Sequence, residues 1–484
     1  MEIEEFRRRG HQLIDWIADY RAGLTARPVL PPCAPGEIKR RLPAHPPAQG
    51  EDWAAIARDL DAIVLPGLTH WQHPRFFAYF PGNAALASVL GDMAAAGLGQ
   101  VGLAWQSSPA LTEIEEVVVD WLRQMIGLSP AWSGVLADTA STSTLVALLC
   151  ARERASGFAL DRGGLGAAEQ PLVVYASQQS HSSVEKAALL AGFGRNHLRL
   201  IATGGRDSGE DQDWGMDPEA LGAALAADVA AGRRPAAIVA TTGTTAVTAF
   251  DPIAAAAELA RRYGCWLHVD AAMAGSAMIL PECRGLWEGI EAADSLVINP
   301  HKWLGAVFDC SAYYVRDPQH LVRVMSTHPS YLQSAVDEEV KNYRDWGLPL
   351  GRRFRALKLW WLIREQGVES LQARLRRDLA NAQWLAAQVR ATPHWQVVAP
   401  VQLQTVCVRH LPPALAGPDA GEALDGHTRA WCDRINRSGQ AFLTPALLAG
   451  RWMVRVSIGS ESTQRADVAA LWRAMRQAAE AGAS

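Results

Sequence analysis

Asn299-Pro300-His301-Lys302-Trp303 closes the apolar run Leu296-Val297-Ile298 in a chain of 484 residues. The chain has 46 basic side chains, yet only five are lysines: Lys39, Lys186, Lys302, Lys341 and Lys358. A lysine amine can deprotonate and condense with an aldehyde, whereas a guanidinium stays charged. Alone, Lys302 reads equally well as an ordinary lysine. A second apolar run, Cys265-Trp266-Leu267-His268-Val269, ends in Asp270-Ala271-Ala272. Alone, Asp270 reads as a helix N-cap after a strand. In open α/β sheets, however, ligands bind beyond the carboxyl ends of the strands. Two successive strands thus offer a carboxylate and then a lysine at one edge.

A carboxylate to pair with a pyridine nitrogen and a lysine to hold an aldehyde are what pyridoxal phosphate requires. Its phosphate needs a seat, and Gly134 to Leu149 offers one: the hydroxyl-rich turn Asp138-Thr139-Ala140-Ser141-Thr142-Ser143 runs into a helical pattern. Helix N-terminal amides hold anions, although Ser/Thr there usually only cap. The run Leu172–Ala176 leads into Ser177-Gln178-Gln179-Ser180-His181-Ser182-Ser183, a third strand-to-helix turn at the same edge. Gly97-Leu98-Gly99-Gln100-Val101-Gly102 fits a dinucleotide fingerprint in spacing only. Met93–Ala96 before it reads as helix where that motif needs a strand, and its glycines are read as close-packed turns. Cys407 and His410 have no matching second pair, so no metal is expected.

The elements that must position these residues follow from periodicity. Phe6, Leu13, Ile14, Ile17 and Tyr20 lie at helical spacing over residues 1–25, Pro28 to Pro47 reads as an extended connector with seven prolines, and a helix spans about 51–64. From about 110 to 315, helices alternate with short buried strands at Leu172–Ala176, Ala237–Thr241, Cys265–Val269, Ser295–Ile298 and Ala312–Val315, which predicts α/β with a largely parallel sheet. Beyond about 360 come helices and weaker strands at Trp395–Val398, Thr405–Val408 and Trp452–Val456, a smaller α+β part. A net charge of −4 gives no support to a nucleic-acid or membrane-surface role. Apolar stretches fall short of a membrane span. The acidic start lacks the features of a signal peptide, and seven cysteines without a Cys-x-x-Cys pair fit a reducing compartment. The expected location is the cytoplasm.

These segments resemble the pyridoxal-phosphate-dependent group II decarboxylases, and within them the aromatic-L-amino-acid decarboxylases. The resemblance runs through Glu5–Gly10, Thr69-His70-Trp71, Phe76-Phe77-Ala78-Tyr79-Phe80-Pro81, His181–Glu185, His268–Ala272, Asn299–Leu304 and Pro349-Leu350-Gly351-Arg352-Arg353-Phe354-Arg355. About the last 100 residues match only loosely. It implies a fold type I transferase-like architecture with a mostly parallel seven-stranded sheet between helices. Residues 1–82 would form an N-terminal helical segment wrapping a partner subunit, 83–360 the large cofactor domain and 361–484 a small α+β domain. The assembly implied is a homodimer with active sites at its interface.

The resemblance also assigns roles. Lys302 would carry the cofactor, Asp270 pair with its ring nitrogen and His181 stack on its ring. Ala140, Ser141, Asn299 and His301 would surround the phosphate, with Thr245 and Ala272 near the cofactor's face or rim. Trp71, Tyr79, Phe80 and Pro81 would form an apolar wall. Val101 and Leu103 would reach the neighbour's pocket, and Gly351 would leave space for catechol or indole rings. Tyr331, within Ser330-Tyr331-Leu332, would protonate Cα; alone it reads as a surface aromatic. Relatives that oxidise their substrate to an aldehyde tend to replace Tyr331 by phenylalanine or His181 by asparagine, so keeping both favours simple decarboxylation. An aromatic acetaldehyde synthase is the second enzyme reading and a catalytically silent scaffold the third. Asp138-Thr139 and Thr142 depart from the family pattern around the phosphate turn.

Overall fold

The computed structural model describes residues 1–205, 209–327, 339–415 and 420–481. Two compact units divide the chain: Met1–Pro81, Trp384–Gln396 and Val408–Ser484 form one, and Gly82–Gln383 with Val397–Cys407 the other. The first unit opens with α1 (Ile3–Ala22), α2 (Glu37–Arg41) and α3 (Trp53–Asp59). α2 interrupts the expected extended connector: Pro35-Gly36 starts a turn, and Glu37 and Arg41, four residues apart, pair across it at 2.5 Å.

The second unit contains, in chain order, α4 (Leu86–Leu98), α5 (Pro109–Met125), β1 (Ser133–Ala137), α6 (Ala140–Ser156), β2 (Leu172–Ser177), α7 (Ser182–Leu190), β3 (Leu198–Ile201), α8 (Pro218–Ala230), β4 (Arg234–Thr241), α9 (Ile253–Tyr263), β5 (Trp266–Asp270), β6 (Ser295–Ile298), β7 (Ser311–Val315) and α10 (Pro318–Met325). The seven strands form one sheet in the order β1-β7-β6-β5-β4-β2-β3. Neighbours among β2 to β6 run parallel, while β7 is antiparallel to both β6 and β1. β1 therefore points the same way as β2 to β6, and all six carboxyl ends share one edge. This is the mostly parallel α/β sheet expected. β4, β5 and β6 are buried along nearly their whole length because helices cover both faces. α5 shows how those helices attach: Leu111, Val118, Val119, Leu122 and Met125 form a buried stripe at three- and four-residue spacing. Glu115 lies in that stripe.

After α11 (Arg355–Arg390), interrupted at Gly367, come β8 (Trp395–Val397), β9 (Thr405–His410), α12 (Gly421–Ser438), β10 (Thr444–Leu448), β11 (Arg451–Ser457) and α13 (Arg465–Glu480). Their four strands make a second sheet in the order β10-β11-β9-β8. Met93–Ala96 lie in α4 as expected, and the dinucleotide-like spacing runs from the last turn of that helix into the segment beyond it. Its glycines are not all close-packed, though: a Cβ on Gly97 or Gly99 would meet nothing within 4 Å, and only Gly102 is tight, against Leu111. Cys407 gives its thiol to the Ala246 carbonyl, and His410 pairs with His427 at 2.9 Å.

One buried cluster fixes the far edge of the large sheet. Asp228 on α8 accepts from Tyr175 on β2 (2.8 Å), from Arg199 on β3 (2.7 and 3.0 Å) and from Arg233 (2.6 Å). Burial pushes its carboxyl up, but these donors outweigh it and bring the pKa to about 2. A carboxylate held below its unfolded value adds stability that is present above about pH 4 and lost as pH falls toward about 2. Asp228→Asn should therefore cost about 3 kcal/mol at neutral pH, and urea titration should show the gap from wild type closing as the medium is acidified.

Candidate active site

β5 ends on Asp270, and its neighbour β6 ends one residue before Asn299; Asp270 faces Val297 in register. Asp270 does not cap a helix. Its Oδ1 accepts the Ala272 amide at 3.0 Å and its carbonyl accepts the Thr242 amide at 2.9 Å, so the β4 and β5 ends are joined. Ala272 in turn accepts the Asn299 amide at 2.9 Å. From Asn299 the chain makes one tight turn, Pro300–Leu304, with the Lys302 amide on the Asn299 carbonyl at 2.9 Å. The carboxylate and the lysine thus sit on adjacent strand ends.

His181 arrives from the β2 end as the N-cap of α7. Its Nδ1 accepts the Ser183 amide at 3.2 Å and lies 2.7 Å from the Ser183 hydroxyl. With Nδ1 an acceptor, the ring proton belongs on Nε2. Burial lowers the His181 pKa, the Asp270 carboxylate raises it and the Lys302 ammonium lowers it. Both charges act on this imidazole, so the three groups share one field.

β1 delivers the phosphate turn to the same edge. α6 begins at Ala140, and its N-cap Thr139 makes no side-chain cap bond, so the first-turn amides are left for an anion. Ala140 is buried and Ser141 exposed. His301 is buried and its Nδ1 accepts the Cys310 amide at 2.9 Å, which puts the ring proton on Nε2 as a donor. Burial, with help from Lys302, lowers its pKa to about 4 and keeps the ring neutral. Asn299 is buried with its side-chain oxygen lacking a hydrogen-bond partner among the described residues, an orphan that calls for a ligand or solvent. Thr245 lies exposed beyond β4, and Ala272 is half-buried at the β5 end. An amine, a buried carboxylate, an imidazole and an uncapped helix start at one sheet edge fit a phosphorylated pyridine aldehyde.

The residues expected to recognise the ring come from both units. In the first unit, Trp71 stacks on Phe76 (centroids 4.5 Å apart) and on Tyr79 (5.8 Å), while Arg455 lies over Phe80 (4.9 Å). Pro81 follows and is buried. In the second unit, a Cβ on Gly351 would lie 3.6 Å from Val101 and 3.9 Å from Leu103. Those three residues, about 250 apart in sequence, form one patch, a juxtaposition that periodicity cannot show. Tyr331 lies outside the described residues.

Three supporting residues went unread in the sequence. Asn83 donates to the Lys302 carbonyl at 2.9 Å. Arg374 donates to the carbonyls of Trp303 (3.0 Å) and Leu304 (2.6 Å), and Asp378 accepts the Trp303 indole at 3.0 Å. Arg374 and Asp378 stand four apart on α11, a spacing that shows a shared helix face without naming what it meets. Gly305 has φ +104° and packs under the Arg374 guanidinium, where a side chain would neither adopt the backbone nor fit.

Residues 35–411 match the pyridoxal-dependent decarboxylase conserved domain. The chain belongs to this decarboxylase family, and its cofactor is pyridoxal 5′-phosphate. It is 38% identical over 489 residues to a tryptophan decarboxylase of Camptotheca acuminata, covering 99% of this chain and 96% of that one. It is also 38% identical over 487 residues to a phenylacetaldehyde synthase of Arabidopsis thaliana, covering 99% and 96%. The crystal structure of an Oryza sativa TDC with PLP and tryptamine superposes with a TM-score of 0.95 at 37% identity, covering 100% of this chain and 99% of that one.

Proposed function

We propose that this chain removes the carboxylate of an aromatic L-amino acid, releasing the arylalkylamine and carbon dioxide. The observation that carries the reading is the placement of Asp270 and Lys302 at adjacent strand ends, with His181 entering from the β2 end of the same sheet edge. Bound, pyridoxal 5′-phosphate supplies a sink for the electron pair left when the Cα–carboxylate bond breaks. Lys302 would be the amine that holds its aldehyde carbon. Asp270 would keep a proton on its ring nitrogen, and His181 would stack on the ring. Ala140, Ser141, Asn299 and His301 would hold its phosphate, with Thr245 and Ala272 near its face or rim. Trp71, Tyr79, Phe80 and Pro81 give an apolar wall that favours loss of a charged carboxylate over its retention. Tyr331 would donate the proton that Cα gains in place of the departed carboxylate.

A homodimer fits apolar side chains left in water on both units. In the first these are Ile3, Phe6 and Ile14 on α1; in the second, Leu86, Leu90, Met93 and Leu98 on α4. Sedimentation equilibrium should return twice the chain mass. In that assembly residues 1–82 wrap the partner, 83–360 hold the cofactor and 361–484 form the small domain. None of the described helices is long and apolar enough to cross a membrane. The seven cysteines carry no disulfide, which supports a cytoplasmic location.

The test is to load the purified protein with cofactor, supply each aromatic amino acid in turn, and follow amine and hydrogen peroxide together. Amine without peroxide is the expected result. Aldehyde with peroxide would make the protein an aromatic acetaldehyde synthase, a reading that the Arabidopsis relative keeps in view; Tyr331→Phe should move the wild-type enzyme toward that product. Gly351→Ser, placed against Val101 and Leu103, should shift the ratio of kcat/KM between tryptophan and tyrosine by about tenfold in favour of the smaller phenol. An unchanged ratio would remove Gly351 from ring selection.

A further inference from the structure

β1 is the last strand of its sheet, so one side of its backbone has no neighbouring strand among the described residues. It pairs with β7 through Val135↔Tyr313, Leu136↔Ala312 and Ala137↔Ser311. In an antiparallel pair, alternate residues turn their N–H and C=O away from the partner, and buried peptide groups must be matched. At Leu136 two charged side chains take the place of the missing strand. Glu115 Oε1 accepts the Leu136 amide at 2.8 Å, and Arg352 Nη2 donates to the Leu136 carbonyl at 2.6 Å. The same Arg352 nitrogen donates to Glu115 Oε1 at 2.6 Å. The pair is almost sealed from solvent, with side-chain exposures of 5% for Arg352 and 0% for Glu115. Glu115 Oε2 and Arg352 Nη1 have no hydrogen-bond partner among the described residues.

A buried ion pair is a poor source of stability, because desolvation offsets its attraction. Two apolar side chains would cover the strand edge at less cost, but could not grip both polar groups of one peptide. What this grip serves is set by where it falls. Only Ala137, Asp138 and Thr139 separate Leu136 from Ala140, the first residue of α6, too short a link to absorb a shift at its base. The guanidinium is held in turn: it lies 4.8 Å from the centre of the Tyr343 ring, and the Arg352 carbonyl accepts the Gly102 amide at 2.9 Å.

We infer that Glu115 and Arg352 are positioning residues for the cofactor's phosphate: by clasping the Leu136 peptide they set where the first-turn amides of α6 lie. This inference rests on the reading of that turn as the phosphate seat. Amide donors hold an anion only within a few tenths of an ångström of hydrogen-bonding distance, so loss of the clasp should weaken recognition of the phosphate and spare recognition of the ring.

The experiment compares two ligands on the apoprotein: pyridoxal 5′-phosphate and pyridoxal, which lacks the phosphate. Dissociation constants are read by fluorescence for wild type, Glu115→Ala, Arg352→Ala, Glu115→Gln, Arg352→Lys and Ser141→Asp. In both alanine variants the preference for the phosphorylated ligand should fall about tenfold or more, with pyridoxal affinity nearly unchanged. Glu115→Gln keeps an acceptor for the Leu136 amide, and Arg352→Lys keeps a charge without the planar fork, so each should retain part of the preference. These two variants carry the test if the alanine variants do not fold. Equal weakening of both ligands, or an unchanged preference in the folded variants, would overturn the inference and leave the pair a cover for the strand edge. Ser141→Asp puts a negative charge in the turn itself. If it leaves the preference intact, the phosphate seat has been misplaced. If it abolishes the preference while the clasp variants do not, only the clasp falls.

Discussion

Lys302→Arg should be as inactive as Lys302→Ala, each losing decarboxylase activity by about 10⁴-fold or more. The arginine variant is the sharper test, because it retains a positive charge beside His301 and His181 and removes only the capacity to condense with an aldehyde. The Lys302 carbonyl is held by Asn83, and the next two carbonyls by Arg374, so the backbone of the turn should survive either change. The measurement is the visible absorption of the loaded protein together with amine formation. Both variants should lose the band of lysine-bound cofactor while still binding the phosphate. An arginine variant that kept more than a few per cent of wild-type activity would show that Lys302 serves only as a charge.

Asp270→Ala should lower kcat by about 10³-fold with little change in thermal stability. Among the described residues its carboxylate accepts one hydrogen bond, from the Ala272 amide, so the proposed role toward the ring nitrogen adds little to the fold. On the proposed reading, removing the carboxylate would take away the group that keeps the pyridine nitrogen protonated and would weaken the electron sink. An N-methylated cofactor, positively charged at that nitrogen without help, should restore part of the lost rate to the alanine variant and none to the lysine variants. If rescue failed while the cofactor bound normally, Asp270 would be acting on the protein and not on the ring.

The chemistry was legible where it falls at the ends of buried strands. Asp270, Lys302 and His181 each follow an apolar run, and one topological rule brings such ends together. Two strands of the large sheet were not legible. β1 reads Ser-Gly-Val-Leu-Ala, with only two branched apolar residues between small ones, and its Gly134 is there because Tyr314 packs on it. β3, Leu198–Ile201, is an edge strand with only Ile201 buried, so it carries no apolar run. β10 includes Pro445, which argues against a strand except at a sheet edge, where it lies. Contacts between distant segments were beyond reach: Gly351 against Val101 and Leu103, Arg374 on the Lys302 turn, and Glu115 with Arg352. Periodicity reports which face of a helix is buried, not which residue 200 positions away it meets.

The place of β1 has a consequence for the order in which the protein is made. Its partner in the sheet is β7, and Val135 pairs with Tyr313, about 180 residues further along. At a synthesis rate of about 5–20 residues per second, roughly 10–35 s separate the appearance of the two. During that interval the turn before α6 has no sheet to anchor it, and the strand offers both its edges to other chains. Lys302 is made only nine residues before β7 begins. The residue proposed to take the aldehyde and the strand that anchors β1, and with it the proposed phosphate turn, therefore emerge almost together, about two-thirds of the way along the chain. On this reading cofactor capture must wait at least for β7, and a nascent chain released before it would lack a finished sheet.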